Sequence, residues 1–150
     1  MGRSLRLASL SEAQREVKYL ADAGAGRVEG GAWSVAQVLR HCAQSIDYSR
    51  VGYPRLKPGI VRATVGPIVL KRFLARGEMS HDLTAGIPGA PAPSDGNLDA
   101  AATDLLRAIT AFRSHAGELA PHFVYGRVSK EDYDRVHAMH IANHLAAVVI

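Results

Sequence analysis

Only one cysteine, Cys42, occurs among the 150 residues, and the lack of a second thiol excludes a disulfide framework within the chain. So little cysteine suits a reducing compartment. The first residues lack the continuous apolar run of a signal peptide, and no stretch approaches the roughly 18 apolar residues of a membrane-spanning helix. We therefore expect a cytoplasmic protein without a membrane partner.

Aromatic residues and dense basic runs are also scarce. Phe, Trp and Tyr make up 6% of the chain, and its net charge at pH 7 is only +4. Nucleic-acid-binding surfaces combine clustered Lys and Arg with stacking aromatics, so we expect no nucleic-acid partner. The most basic segment, residues 55–76, is interpreted as a solvated surface, with binding of an anionic small molecule or of a partner as the alternative.

No strand pattern, internal repeat or heptad array occurs, and the apolar residues recur at helical spacing. Ser9 with Glu12 and Ser34 with Gln37 form capping-box patterns, which mark helix starts. The length suits one domain, which we predict to be an all-α four-helix bundle over residues 1–150 with a long crossover loop. The predicted helical segments run from Ser9 to Gly24, over 34–50, over 59–76 with a break at Gly66–Pro67, from Asn97 or Asp99 to Gly117 or Leu119, and from Ser129 to Ile150.

The crossover loop, residues 77–98, is rich in Gly and Pro and longer than a compact domain normally leaves without structure. Such loops are usually functional or disordered. Its IPGAP core carries an isoleucine that could pack over the end of the bundle, so we favour an ordered cover that brings His81 towards a site beneath. A plain connection between helices is the alternative.

The last predicted helix places three histidines, His137, His140 and His144, at the centre of its apolar face. His140 and His144 are four residues apart, so their rings lie one turn from each other, and two ring nitrogens can reach one ion at about 2.0–2.1 Å. The alternative is a pair of core histidines that are hydrogen-bonded to other groups.

The second helix has a polar edge beside its apolar stripe, where His41 lies between Gln37, Gln44 and Tyr48. Considered without the other histidines, His41 is interpreted as a hydrogen-bonded residue at the edge of the core. Whether it can be a metal ligand depends on which residues face it. Cys42 points towards the apolar stripe and is interpreted as a small core residue rather than a nucleophile.

Two stretches carry a family resemblance: WSVAQVLRHCAQSIDYS at 33–49 and PHFVYGRVSKEDYDRVHAMHIANHL at 121–145. With IPGAP and the opening SLSEAQREVKYLADAG, they resemble the DinB-like superfamily of four-helix bundles, in a branch described only as a domain of unknown function. The most specific part is Trp-Ser before a histidine-bearing helix, combined with HxxxH-Leu on the last helix.

The resemblance implies a divalent-metal site formed by one histidine of the second helix and two of the last, which match His41, His140 and His144. Three neutral imidazoles leave one coordination position open, as in reactive metal sites. The expected ion is zinc, with nickel or iron as alternatives, because imidazole suits all three. The superfamily includes metal-dependent S-transferases that use low-molecular-weight thiols, a thiol-dependent isomerase and hydrolases.

We accordingly expect either a metal-dependent S-transferase or hydrolase acting on a small molecule, or a non-catalytic protein that binds a metal or small ligand. The sequence does not identify catalytic residues. The residues expected to line the site or support its ligands are His137, Tyr48, Gln44, His122 and Tyr125. The chain ends in an apolar run, residues 146–150, still in helical pattern, and such an end often packs on a second subunit. We therefore predict a homodimer.

Overall fold

The computed structural model describes residues 3–24 and 26–150, and these are mostly helical. The prediction of an all-α chain agrees with this architecture. The helices are α1 (Leu10–Ala23), α2 (Val35–Val51), α3 (Gly59–Ala63), α4 (Val65–Arg76), α5 (Leu98–Ser114) and α6 (Lys130–Leu145), and a small antiparallel pair is formed by β1 (Arg27–Val28) and β2 (Val148–Val149). None of the described helices is long and apolar enough to cross a membrane.

Four helices, α1, α2, α5 and α6, begin where a side chain caps them, and at α5 the Asn97 side chain accepts from the backbone N–H of Ala100. The Ser9 hydroxyl accepts from the backbone N–H of Glu12, and Ser34 forms a full capping box with Gln37. At α6 the Ser129 hydroxyl accepts from the N–H of the third helical residue. These contacts satisfy N–H groups that the first helical turn leaves without partners, so the starts are set locally.

The core lies between α1, α2, α5 and α6. α2 packs along α5, α1 contacts both α5 and α6, and α6 also packs on α2. Fully buried residues from all four helices meet there, among them Leu20, Leu39, Leu105 and Ile141. The contact between α2 and α6 positions the site, because the polar edge of α2 and the histidine face of α6 meet along it.

The break in the 59–76 segment lies at Thr64 and not at Gly66–Pro67 as predicted. Pro67 sits in the first turn of α4, where a residue without an N–H costs no helical hydrogen bond, so it is compatible with the helix start. Gly66 packs directly against the backbone carbonyl of Val124, and a Cβ at this position would clash with it. This close approach fixes the 121–128 turn against the start of α4.

The prediction that the last helix continues to Ile150 is wrong, as is the prediction that the chain contains no strand. α6 ends at Leu145, and Val148–Val149 pairs with Arg27–Val28. β-branched valines favour extended backbone, and Val148 is fully buried by this pairing. The apolar end that suggested a second subunit thus packs within its own chain, and the homodimer stays a prediction.

Candidate metal centre

Four histidines meet where α2, α6 and the crossover loop come together. They are His41, His81, His140 and His144, and one ring nitrogen from each lies within 4.8 Å of the others. His41 Nε2 is 3.2 Å from His140 Nε2, and His81 Nε2 is 3.3 Å from His144 Nε2. The structure therefore brings together the three histidines of the predicted site and adds His81 to them.

The two shortest nitrogen pairs have the spacing of ligands on a tetrahedral ion. Zinc holds histidine nitrogens at about 2.0–2.1 Å, so two nitrogens on one tetrahedral ion lie about 3.3–3.4 Å apart. The two shortest nitrogen pairs, at 3.2 and 3.3 Å, match that spacing. A single hydrogen bond can join only two of these nitrogens, whereas one ion can be shared by all four.

Helix geometry explains the arrangement. His140 and His144 are one turn apart on α6 with ring centroids 4.8 Å apart, and His41 on α2 lies 5.0 and 4.8 Å from them. Trp33, just before the Ser34 cap, packs against His41 with a ring separation of 4.9 Å. The tryptophan thus closes the apolar side of the cluster.

The cluster favours uncharged imidazoles. Burial, reinforced by the neighbouring His81, lowers the pKa of His41 to about 4, and burial with the nearby His41 and His81 lowers that of His144 to about 2. The pKa of His140 is also held well below its usual value, mainly by burial. A neutral imidazole has a free lone pair, which is the form that binds a metal.

The second nitrogens of the rings have different surroundings. Asn143 lies on α6 between His140 and His144, and its side-chain nitrogen Nδ2 is 2.7 Å from His81 Nδ1. With its oxygen turned to this nitrogen, Asn143 would accept from Nδ1–H and leave the Nε2 lone pair for an ion. His41 Nδ1 is buried and has no hydrogen-bond partner among the described residues.

The crossover loop is ordered and lies along α2. The side-chain amides of Gln37 and Gln44 donate to the carbonyls of Pro93 and Pro91, and Arg40 donates to the carbonyls of Ser94 and Asp95. Ile87, in the predicted IPGAP core, is buried. The loop is therefore held as a cover over the site and carries His81 into it.

Three residues expected near the site make contacts with groups other than the four nitrogens. His137 Nε2 is 3.0 Å from the Ser49 hydroxyl, which itself donates to the carbonyl of Ile46, so His137 is hydrogen-bonded inside the core. The Gln44 side-chain amide donates to the Pro91 carbonyl of the crossover loop. Tyr48 packs against the ring of Tyr53.

A cavity of about 300 Å³ opens beside the cluster, and His41, His81 and His140 form part of its wall. His122 and Tyr125, both predicted to be near the site, line it as well. Ile87 of the predicted cover lines it too, together with residues that no sequence pattern indicated, among them Ser45, Lys57 and Phe123.

The predictions missed Lys57 and Asn143 for different reasons. Lys57 reaches the cavity through a connector whose path no periodic pattern reveals. Asn143 had a local signal, since it lies on α6 three residues after His140 and one before His144, and a polar residue beside two ligands is a natural support for a third.

Comparison with known proteins defines the family but assigns no activity. A search of curated proteins and a search of solved structures found no match to the chain. A family model covers residues 1–150, and its description is "Protein of unknown function (DUF1569)". Over its whole length, therefore, the chain that forms this four-histidine cluster belongs to the DUF1569 family.

Proposed function

We propose that the protein binds a divalent metal ion through His41, His140 and His144, with His81 as a fourth ligand from the crossover loop. Zinc is the proposed ion, and nickel or iron are the alternatives. The observation that carries the proposal is the spacing of the four ring nitrogens, whose closest pairs lie 3.2 and 3.3 Å apart, as on a tetrahedral ion.

The proposed scaffold is a DinB-like four-helix bundle built from α1, α2, α5 and α6. Its support is the sequence resemblance, together with the shared core of these four helices and the placement of His41 opposite His140 and His144. A cytoplasmic location and a homodimer complete the proposal.

The function that this site supports best is that of a metal-dependent S-transferase or hydrolase acting on a small molecule. A divalent ion bound here would supply Lewis-acid activation of a thiol, water or substrate oxygen. The three helical histidines would hold the ion from rigid elements. The crossover loop would exclude bulk water, and withdrawal of His81 would open a position that faces the 300 Å³ cavity.

A non-catalytic metal-binding role is the second candidate, and His81 is the observation that favours it. Four histidine ligands would close a tetrahedral site, and closed sites are typically structural. Turnover of thiol-transfer or ester substrates by zinc-loaded protein, with no turnover by His140→Ala, would favour the enzyme. Full zinc loading without turnover across such a panel would favour the structural role.

Zinc affinity should rank the ligands by their position in the fold. We expect His41→Ala, His140→Ala and His144→Ala to abolish measurable zinc binding, because each removes a ligand held by a helix. His81→Ala should retain zinc with a weaker affinity. Competition with a chromogenic chelator measures these constants, and His115→Ala, which removes a half-buried histidine outside the cluster, is the matched control.

Substitutions of Asn143, which contacts His81, test whether His81 is a metal ligand. Asn143→Leu should weaken zinc binding by about 10–100-fold, the usual effect of losing a group that orients a ligand. Asn143→Asp should keep the affinity, because its carboxylate can accept from Nδ1–H of His81. Equal affinities of the wild type, His81→Ala and Asn143→Leu would remove His81 from the site.

A further inference from the structure

The cavity beside the histidines has mostly apolar walls. Ile87 and Pro88 of the crossover loop face it, as do Phe123, Val124 and Tyr125 of the turn before α6. Its volume of about 300 Å³ is at the small end of ligand sites, which usually measure about 300–1,000 Å³. It suits the apolar body of one small organic molecule.

His122 contributes a hydrogen-bond donor whose direction is fixed. Its Nδ1 accepts from the backbone N–H groups of Val124 and Tyr125, at 3.1 and 3.2 Å, so the ring proton must be on Nε2. The ring lies against those of Phe123 and Tyr125, with centroid separations of 4.5 and 4.2 Å. His122 is only 7% exposed, and it forms part of the cavity wall.

The Nε2–H of His122 is unused by the protein. No hydrogen bond joins it to any residue in 3–24 or 26–150, and it is not among the buried atoms that lack partners, so it keeps access to open space. Burial lowers the pKa of His122 to about 3, so the ring stays neutral at physiological pH. It can therefore donate a hydrogen bond to a ligand but carries no charge of its own.

Lys57 adds a positive charge to the same cavity. Its backbone N–H donates to the carbonyl of Phe123 at 2.9 Å, which anchors the residue, and its ammonium makes no ion pair within the described part of the chain. The acid that lines the cavity, Asp82, accepts from the N–H and hydroxyl of Thr84. Asp82 places a negative charge in the same wall, but no ion pair joins it to Lys57 within the described residues, so the ammonium is available to a ligand.

We propose that this cavity binds a small organic carboxylate, with the His122 Nε2–H and the Lys57 ammonium as partners of the carboxylate oxygens and the apolar walls around its body. One cation and one neutral donor match the single charge of a carboxylate, whereas a phosphate group usually meets several charged donors. The inference rests on the proposed function in one respect: it names the substrate class that the adjoining metal centre would act on.

The test uses 3-phenylpropionate as the probe and its neutral amide, 3-phenylpropanamide, as the matched compound. Isothermal calorimetry measures their dissociation constants for wild-type protein with and without zinc. We expect the acid to bind both forms and to bind at least 10-fold more tightly than the amide, because hydrogen bonds to a charged group are the stronger ones.

Two variants remove the proposed contacts without removing the anchors. His122→Asn keeps an acceptor for the N–H groups of Val124 and Tyr125 but loses the donor into the cavity, and should weaken acid binding about 10-fold. Lys57→Met keeps the backbone contact and should weaken it about 2- to 5-fold, since the lysine is exposed. Lys71→Met, on the exposed side of α4, is the control and should have no effect.

A measurement on the wild type makes the test independent of how the variants fold. With ¹⁵N-labelled histidine, the Nε2–H resonance of His122 should shift downfield when the propionate is added, and its Nδ1 resonance should stay in place. Equal binding of acid and amide, or no binding of the acid at millimolar concentration, would overturn the proposal.

Zinc content, measured on the same samples, separates this proposal from the proposed function. Acid binding that requires zinc and ignores His122→Asn and Lys57→Met would mean that the carboxylate binds the ion, and the cavity contacts would be rejected. Acid binding that follows the two variants in a protein that takes up no zinc would support the carboxylate site and reject the metal centre.

Discussion

Zinc at a thousandfold excess over its dissociation constant should raise the melting temperature of the wild-type chain by about 8–16 °C. A ligand that binds only the folded state contributes about 4.1 kcal/mol at that concentration, and a chain of this size gains about 2–4 °C per kcal/mol. The ligands come from α2, α6 and the crossover loop, so an ion would link three segments far apart in sequence. Differential scanning calorimetry measures the shift.

The matched variants show whether the shift belongs to the cluster. His140→Ala should melt at the same temperature with and without zinc, because its nitrogen lies closest to His41 Nε2 at the centre of the site. His115→Ala should keep the full shift, since His115 is outside the cluster. A shift that persists in His140→Ala would place the zinc elsewhere.

The second large effect is acid unfolding of the metal-free protein. Burial is the main cause that lowers the pKa of four buried histidines, to about 4 for His41, about 3 for His122 and His137, and about 2 for His144. These groups stay neutral in the folded chain while the unfolded chain takes up protons below about pH 6.5. Protons therefore favour the unfolded state, and stability is lost as the pH falls from 6.5 towards 4.

The expected size is large. Between pH 7 and pH 5 each such histidine lowers the free energy of unfolding by about 2 kcal/mol, and four together by about 8 kcal/mol. A typical domain has only about 5–15 kcal/mol in total. We therefore expect the metal-free chain to unfold at mildly acidic pH, which far-ultraviolet circular dichroism in a pH titration will measure.

His137→Gln isolates one of these contributions. The Gln amide can still donate to the Ser49 hydroxyl, as His137 Nε2 does, but it does not titrate. Its acid midpoint should therefore lie at lower pH than that of the wild type, and His115→Gln, at a half-buried position, is the control for a histidine replacement outside the core. Stability of the metal-free wild type that stays constant from pH 7 to pH 4 would contradict this account of the histidines.

Local features of the fold were predictable because their causes lie within a few residues of sequence. Ser9, Ser34 and Ser129 cap helices as their spacing to the third helical residue predicts. The one-turn separation of His140 and His144 follows from helix periodicity alone. His41 could be placed at the edge of the core, but that it faces them rested on the family resemblance.

Features that depend on distant contacts were missed or misplaced. The pairing of Val148 with Val28 joins segments that are far apart in sequence, and nothing near Val148 marks where the helix stops. The sequence indicated that the crossover loop brings His81 towards the site, but a segment without periodicity does not show that its Nε2 lies 3.3 Å from His144 Nε2. The break at Thr64 depends on how the start of α4 packs against Val124, which the Gly66–Pro67 pair does not reveal.

The most direct test of the metal centre is the metal content of protein purified without a polyhistidine tag. We predict about one divalent ion per chain in the wild type and in His115→Ala, and none in His41→Ala or His140→Ala. Elemental analysis by mass spectrometry gives the identity and amount of the ion together. A metal-free wild type that also fails to bind added zinc or nickel would show that the four histidines pack without an ion.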